Sequence, residues 1–256
     1  MSALCPQDLE EVRTKLRRGN QILFTRDSGC LQPLLSLIRR QSHRTLVLWA
    51  LEGCRPPLAL LARRWPGEQR PVQAVQAARL WAEGGNAVKG NGPSPGQAMC
   101  QAQEIGRNRC AHWAGRIKMP AARRAILAAH AAAKETADPV SIALCHAIGQ
   151  ACGTVHVETH AIGLAMYELT ALVRLGLEGS AALPAASSLP CEPLCHEEIT
   201  LPLSRRLETY ARRLLYWEQA VNAHPGPWAP FLLKDGPNRE QQRYEKQQHL
   251  KEAPPW

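Results

Sequence analysis

Aromatic side chains are scarce in this 256-residue chain: they make up 5% of it, with two Phe, four Tyr and seven Trp. A stacking platform for single-stranded nucleic acid is not what such a composition builds. Nine cysteines are scattered without a Cys-x-x-Cys pair, so nothing supports a zinc ribbon. Long Lys/Arg runs are missing as well. The 31 Lys and Arg against 22 Asp and Glu leave a formal charge of +9, spread along the chain rather than gathered into a nucleic-acid arm. The N-terminus shows no basic-then-apolar leader, and no run of about 18 apolar residues is present to span a bilayer. A reduced, soluble, cytoplasmic protein with no membrane partner is the expectation. The glycine-rich stretch Gly84–Gly96 lacks a Gly-Lys-Ser/Thr ending and a preceding strand, which argues against a phosphate-binding loop.

What the chain has in abundance is alanine, concentrated between Met119 and Leu175, where 15 of 57 residues are Ala. Alanine favours helix and lets two helix backbones approach closely. Asp138 followed by Pro139 marks a helix start, because Asp is a good N-cap and the missing N–H of Pro has no helical partner in the first turn. The stretch therefore reads as an antiparallel helical hairpin. Gly149, Gly153 and Gly163 in its second arm serve close packing or a bend near Thr154–His156. Its formal charge is zero: Arg123, Arg124, Lys134 and Arg174 balance Glu135, Asp138, Glu158 and Glu168.

Around this centre the periodicity predicts helices over Pro6–Arg18, with Gly19 as its stop, and over Cys30–Arg40. Thr45–Cys54 is apolar nearly all round and reads as a buried helix broken at Pro56-Pro57. Val72–Glu83 carries a stripe of Val72, Val75, Ala78, Leu80 and Trp81. Asn86–Gln97 reads as a loop, Ala98–Ile117 as a helix, Gly176–Pro193 as a connection and Leu203–Ala223 as a last strong helix. The polar tail from Asn238 is expected to be a frayed helix or disordered. The expected architecture is all-α, a multi-helix domain over residues 45–223 built around the Ala-rich hairpin. A loop-rich insertion falls at about 86–118 and a linker at about 176–193. Residues 1–44 form an N-terminal helical extension, and 224–256 a Pro-rich then polar tail. Cys145 and Cys152, on the apolar hairpin, are expected to be small buried thiols.

Three segments resemble the Imm-five-like family of immunity proteins from bacterial polymorphic-toxin systems. TLVLWALEGCRPPLALL at 45–61 is similar to its Trp-Ala-…-Cys-Ala helix, departing from it at Gly53 and Pro56-Pro57. QRPVQAVQAARLWAEG at 69–84 resembles its Arg-Pro-x-x-Ala-Ile-x-Ala-Ala-Arg-x-Trp segment. ILAAHAAAKET and AIGQACGTVHVETHAIGLAMYE resemble its two histidine-bearing segments. The resemblance spans roughly residues 45–175 and implies an all-α fold that neutralises a cognate toxin by binding, without catalysis or cofactor.

Candidate partner contacts are Arg70 and Arg79, whose forked guanidinium suits carboxylates, and Trp81, which offers area to bury. A structural role for Arg79 and Trp81, tying helices or filling the core, is the competing reading. His156 and His160, at i and i+4, are placed on one helix face, where they could meet a partner or share a metal. The string His-Val-Glu-Thr-His is not the zincin pattern, so no metal or catalytic residue is assigned. The hairpin is expected to bring His130 near Cys145 and His146. With a charge of +9, an acidic or neutral contact surface is expected on the partner, since anti-nuclease immunity proteins should themselves be acidic. A basic nucleic-acid-associated protein and a metal-dependent enzyme using His156 and His160 are the alternative functions.

Overall fold

The computed structural model describes residues 4–83, 117–181, 197–224, 228–234 and 236–252. They form α-helices joined by short turns, with no strand among the described residues. The expected loop at Asn86–Gln97 and all but the last residue of the expected helix at Ala98–Ile117 lie outside them.

The molecule is organised around one helix, Pro139–Gly153. Asp138 caps it, accepting from the amides of Val140 and Ser141 at 3.3 and 3.1 Å, as the Asp-Pro pair predicts. Eleven of its fifteen residues are buried, because every face meets another helix. In chain order the helices are α1 (Pro6–Arg17), α2 (Gln32–Arg39), α3 (His43–Gly53), α4 (Arg55–Arg64), α5 (Arg70–Ala82), α6 (Met119–Ala132), α7 (the central Pro139–Gly153), α8 (Ala161–Ala181), α9 (Glu197–Ala220) and α10 (Arg239–Glu252). Cys145 and Cys152 on α7 are fully buried, and burial pushes both thiols up, Cys145 to about 12.

The Ala-rich stretch is a hairpin extended by a third helix. α6 and α7 run antiparallel, and α7 turns at 154–160 into α8, which packs back on it more extensively than any other pair. His156 and His160 therefore do not share a helix face: α7 ends at Gly153, Val157 is extended, and Glu158–His160 is a 3-10 turn. Glycine is what permits the close return. A Cβ on Gly153 would stand 3.0 Å from the His160 ring, and one on Gly149 would stand 2.5 Å from His130 Nε2. α8 continues through Gly176 to Ala181, six residues into the stretch that reads as a connection.

α1 and the segment after it contribute Val12, Leu23, Phe24 and Leu31 to the same core as the hairpin, and the Leu23 amide donates to buried Thr170 Oγ1 at 3.1 Å. Gly19, at φ +70°, ends α1 as its position predicts, in the left-handed region that glycine enters without strain. The span His43–Arg64 is long and apolar enough to cross a membrane, contrary to the sequence expectation. The chain folds it as two helices meeting at Cys54, with half of that window buried. Trp49, Leu46 and Val47 lie inside the core. Beyond Asn238 the tail is helical: Asn238, 9% exposed, accepts from the Glu240 amide at 2.8 Å and donates to the carbonyls of Ile38 and Gln41.

Candidate partner-binding site

Trp81, His156 and His160 come together at the C-terminal end of α5. The Trp81 ring lies 5.3 Å from His156 and 5.2 Å from Phe231, and the His156 and His160 rings are 5.8 Å apart. Trp81 is only 9% exposed, so it fills core at this edge. His160 Nδ1 pairs with Gln150 Oε1 at 2.8 Å, while His156 Nδ1 is buried with no hydrogen-bond partner. Nearby, His130 Nδ1 stands 2.9 Å from His146 Nδ1, as the hairpin register predicts, so a hydrogen bond there needs one ring to donate and the other to accept. Among the described residues no group of three or more His, Cys, Asp or Glu could hold a metal ion.

Burial governs these imidazoles. It pushes His130 down from 6.5 to about 4, with His146 and His160 adding to the shift. It does the same to His156, helped by His160, Arg123 and His43, and it lowers His146 and His160 as well. An imidazole held below its unfolded value binds its proton more readily once the chain unfolds. Stability present above pH 6.5 is therefore lost as the pH falls towards 4, by about 1 kcal/mol for each of His130 and His156 after allowing for partial solvent screening, with His146 and His160 acting in the same direction. Asp138, held down chiefly by Arg64, and Glu68, held down by Arg70, add a second loss below about pH 4. Thermal melts at pH 7 and 4.5 should show this first loss, reduced in His130→Phe. An unchanged midpoint across that interval refutes it.

The two candidate arginines have different surroundings. Arg70 bridges Glu68 and Glu135, with Nη1 2.6 Å from Glu135, and so ties the start of α5 to the end of α6. Arg79 is half-buried, its guanidinium lowered first by burial and then by Arg55, with Cys54, Glu83 and Cys152 opposing that shift. Arg70, at the opposite end of α5, stands apart from the Trp81–His156–His160 group.

A feature that periodicity did not single out is the outward face of α6. Its inward side buries Ala122, Ile126 and Ala129. Outward stand Arg123, Arg124, Leu127, Ala131 and, just past the helix, Lys134, all exposed, with Leu127 at 61%. The signal available in the sequence was Leu127 itself, a large apolar residue at helical spacing from Arg123 and Arg124 on the side away from Ala122, Ile126 and Ala129.

The model of the Imm-5 like putative immunity protein family matches residues 36–90 and 98–186, more than half of the chain. The chain belongs to that family. No curated protein and no solved structure matches it. The immunity-family region thus runs from within α2 through α8 and contains Arg70, Arg79, Trp81, His156, His160 and the whole α6 face. Helices α1, α9 and α10 lie outside it. Helix α9 is joined to it by the buried group of Glu168 with Arg206 and Tyr210, α10 through Asn238 at its start, and α1 through Val12 in the shared core.

Proposed function

We propose that this chain neutralises a cognate bacterial toxin in the cytoplasm by binding it, without catalysis. The observation that carries the reading is the family match over α2 to α8, the part of the fold whose helices surround α7. Three arginine–carboxylate clamps support it, because they tie elements of the fold together instead of lining a reaction centre. Arg64 clamps Asp138 and Glu178, Arg70 clamps Glu68 and Glu135, and Arg206 holds Glu168. A cleft of about 200 Å³ beside Trp49 is lined by Arg206 and Arg213, each already paired with a carboxylate. The partner's contact surface is acidic or neutral, matching a chain of +9.

The test is purification of the tagged chain from its native host, identification of bound protein, and co-expression of the two. A stoichiometric partner that arrests growth alone, and is relieved by this chain, is the expected result. Retention on heparin well above physiological salt, with no protein partner, would instead favour a nucleic-acid ligand.

A further inference from the structure

The Ala-rich stretch is formally neutral, but the folded chain separates its charges. Each of its four acids is met by a cation or histidine from elsewhere. Glu135 is bound by Arg70 at 2.6 Å, Asp138 by Arg64 at 2.8 Å, and Glu168 by Arg206 at 2.8 Å. Glu158 faces His43 at 3.8 Å and Arg239 at 4.0 Å. Of its cations, Arg174 donates to the carbonyls of Asn20 and Gln21. Arg123, Arg124 and Lys134 have no carboxylate partner among the described residues, and α6 itself contains no acid. Tertiary structure has thus turned a neutral segment into a one-sign face.

That face has an ordered layout. Residues three and four apart on a helix are surface neighbours, so Leu127 and Ala131 form an apolar centre with Arg123 and Arg124 at one end and Lys134 at the other. From Arg123 to Lys134 is about 16 Å along the axis, a suitable core row for an interface of roughly 800 Å² per partner. An apolar centre inside a charged rim is how protein interfaces are built. Polyanions such as nucleic acid favour a denser cationic track, and three cations around a leucine do not form one.

We propose that the α6 face Arg123–Arg124–Leu127–Ala131–Lys134 is the surface that docks the toxin, against an acidic patch with an apolar centre. This rests on the toxin-binding reading above, and the experiment separates the two. The co-purifying toxin, expressed alone in inactive form, is titrated by calorimetry with the wild-type chain, with Arg123→Glu/Arg124→Glu, with Leu127→Asp, and with a control on α9, Arg212→Glu/Leu215→Asp. All altered side chains are exposed, so melting midpoints should stay close to wild type and report that each variant folds.

The expected result is a loss of affinity on the order of 100-fold for the double reversal and at least about tenfold for Leu127→Asp, with the α9 control unchanged. Wild-type affinity should also fall with salt more steeply than that of the reversal variant. Toxin binding that survives the α6 changes but is lost in the α9 control overturns the face and leaves the toxin reading standing. Absence of any toxin binding by the wild-type chain overturns both. A partner-independent probe removes dependence on the first reading: a helical peptide with Glu flanking Leu, added to labelled protein, should perturb α6 amides. Perturbation elsewhere, or tighter binding of a 20-base-pair DNA duplex at the same face, overturns the proposed occupant.

Discussion

Glu168→Ala should destabilise the chain by about 3–5 kcal/mol, the cost expected when one partner of a buried ion pair is removed. Glu168 is 3% exposed and accepts from Arg206 Nε at 3.0 Å and Nη2 at 2.8 Å, and from the hydroxyl of fully buried Tyr210. Burial raises the Glu168 carboxyl and the Tyr210 phenol, while Tyr210 and Glu168 together raise Arg206 against its own desolvation. Without the carboxylate, a guanidinium whose side chain is 15% exposed would keep, among the described residues, the Gly53 carbonyl and Tyr210 as hydrogen-bond partners. Chemical denaturation provides the measurement. The charge-free double variant Glu168→Leu/Arg206→Met should recover most of the loss, since a buried pair can be exchanged for apolar packing at little net cost. If the single variant costs under 1 kcal/mol, the network is solvated and this account of the α8–α9 junction fails.

Trp81→Ala should cost a similar amount, about 3–5 kcal/mol, and lower the melting midpoint by roughly 10 °C. The ring stacks between His156 and Phe231, next to the point where the Ala229 amide donates to the Ala82 carbonyl at 2.7 Å. Its removal therefore opens a cavity at the junction of α5, the 154–160 turn and the segment 228–234. Trp81→Phe should restore most of the stability. The opposite pattern, an unchanged midpoint with toxin binding lost, would make Trp81 a partner anchor rather than core.

The two substitutions show where sequence reading succeeds and where it stops. That Trp81 belongs to an α5 stripe follows from its spacing with Val75 and Ala78, and all three are buried. That Glu168 sits on an apolar helix is equally legible. Its partner is not: Arg206 lies 38 residues along the chain on a helix outside the family region, and no local pattern ties the two together. The i, i+4 spacing of His156 and His160 misled for a related reason. Helical spacing holds only if the helix continues, and here it ends at Gly153, where the chain folds back so that the His160 ring lies against that glycine.

The chain by itself determined the all-α architecture, the Asp138 cap, the Gly19 stop and the buried α3 and α7, because each depends on propensity, capping or periodicity acting within a few residues; the family was legible separately, in the resemblance of its three segments. Only the tertiary structure decided which charges remain available. Arg123, Arg124 and Lys134 are formally cancelled within Met119–Leu175, yet Arg70, Arg64, Arg206 and Arg239 reach in from other elements to its acids. Charge pairing follows distance in space, and sequence records only distance along the chain.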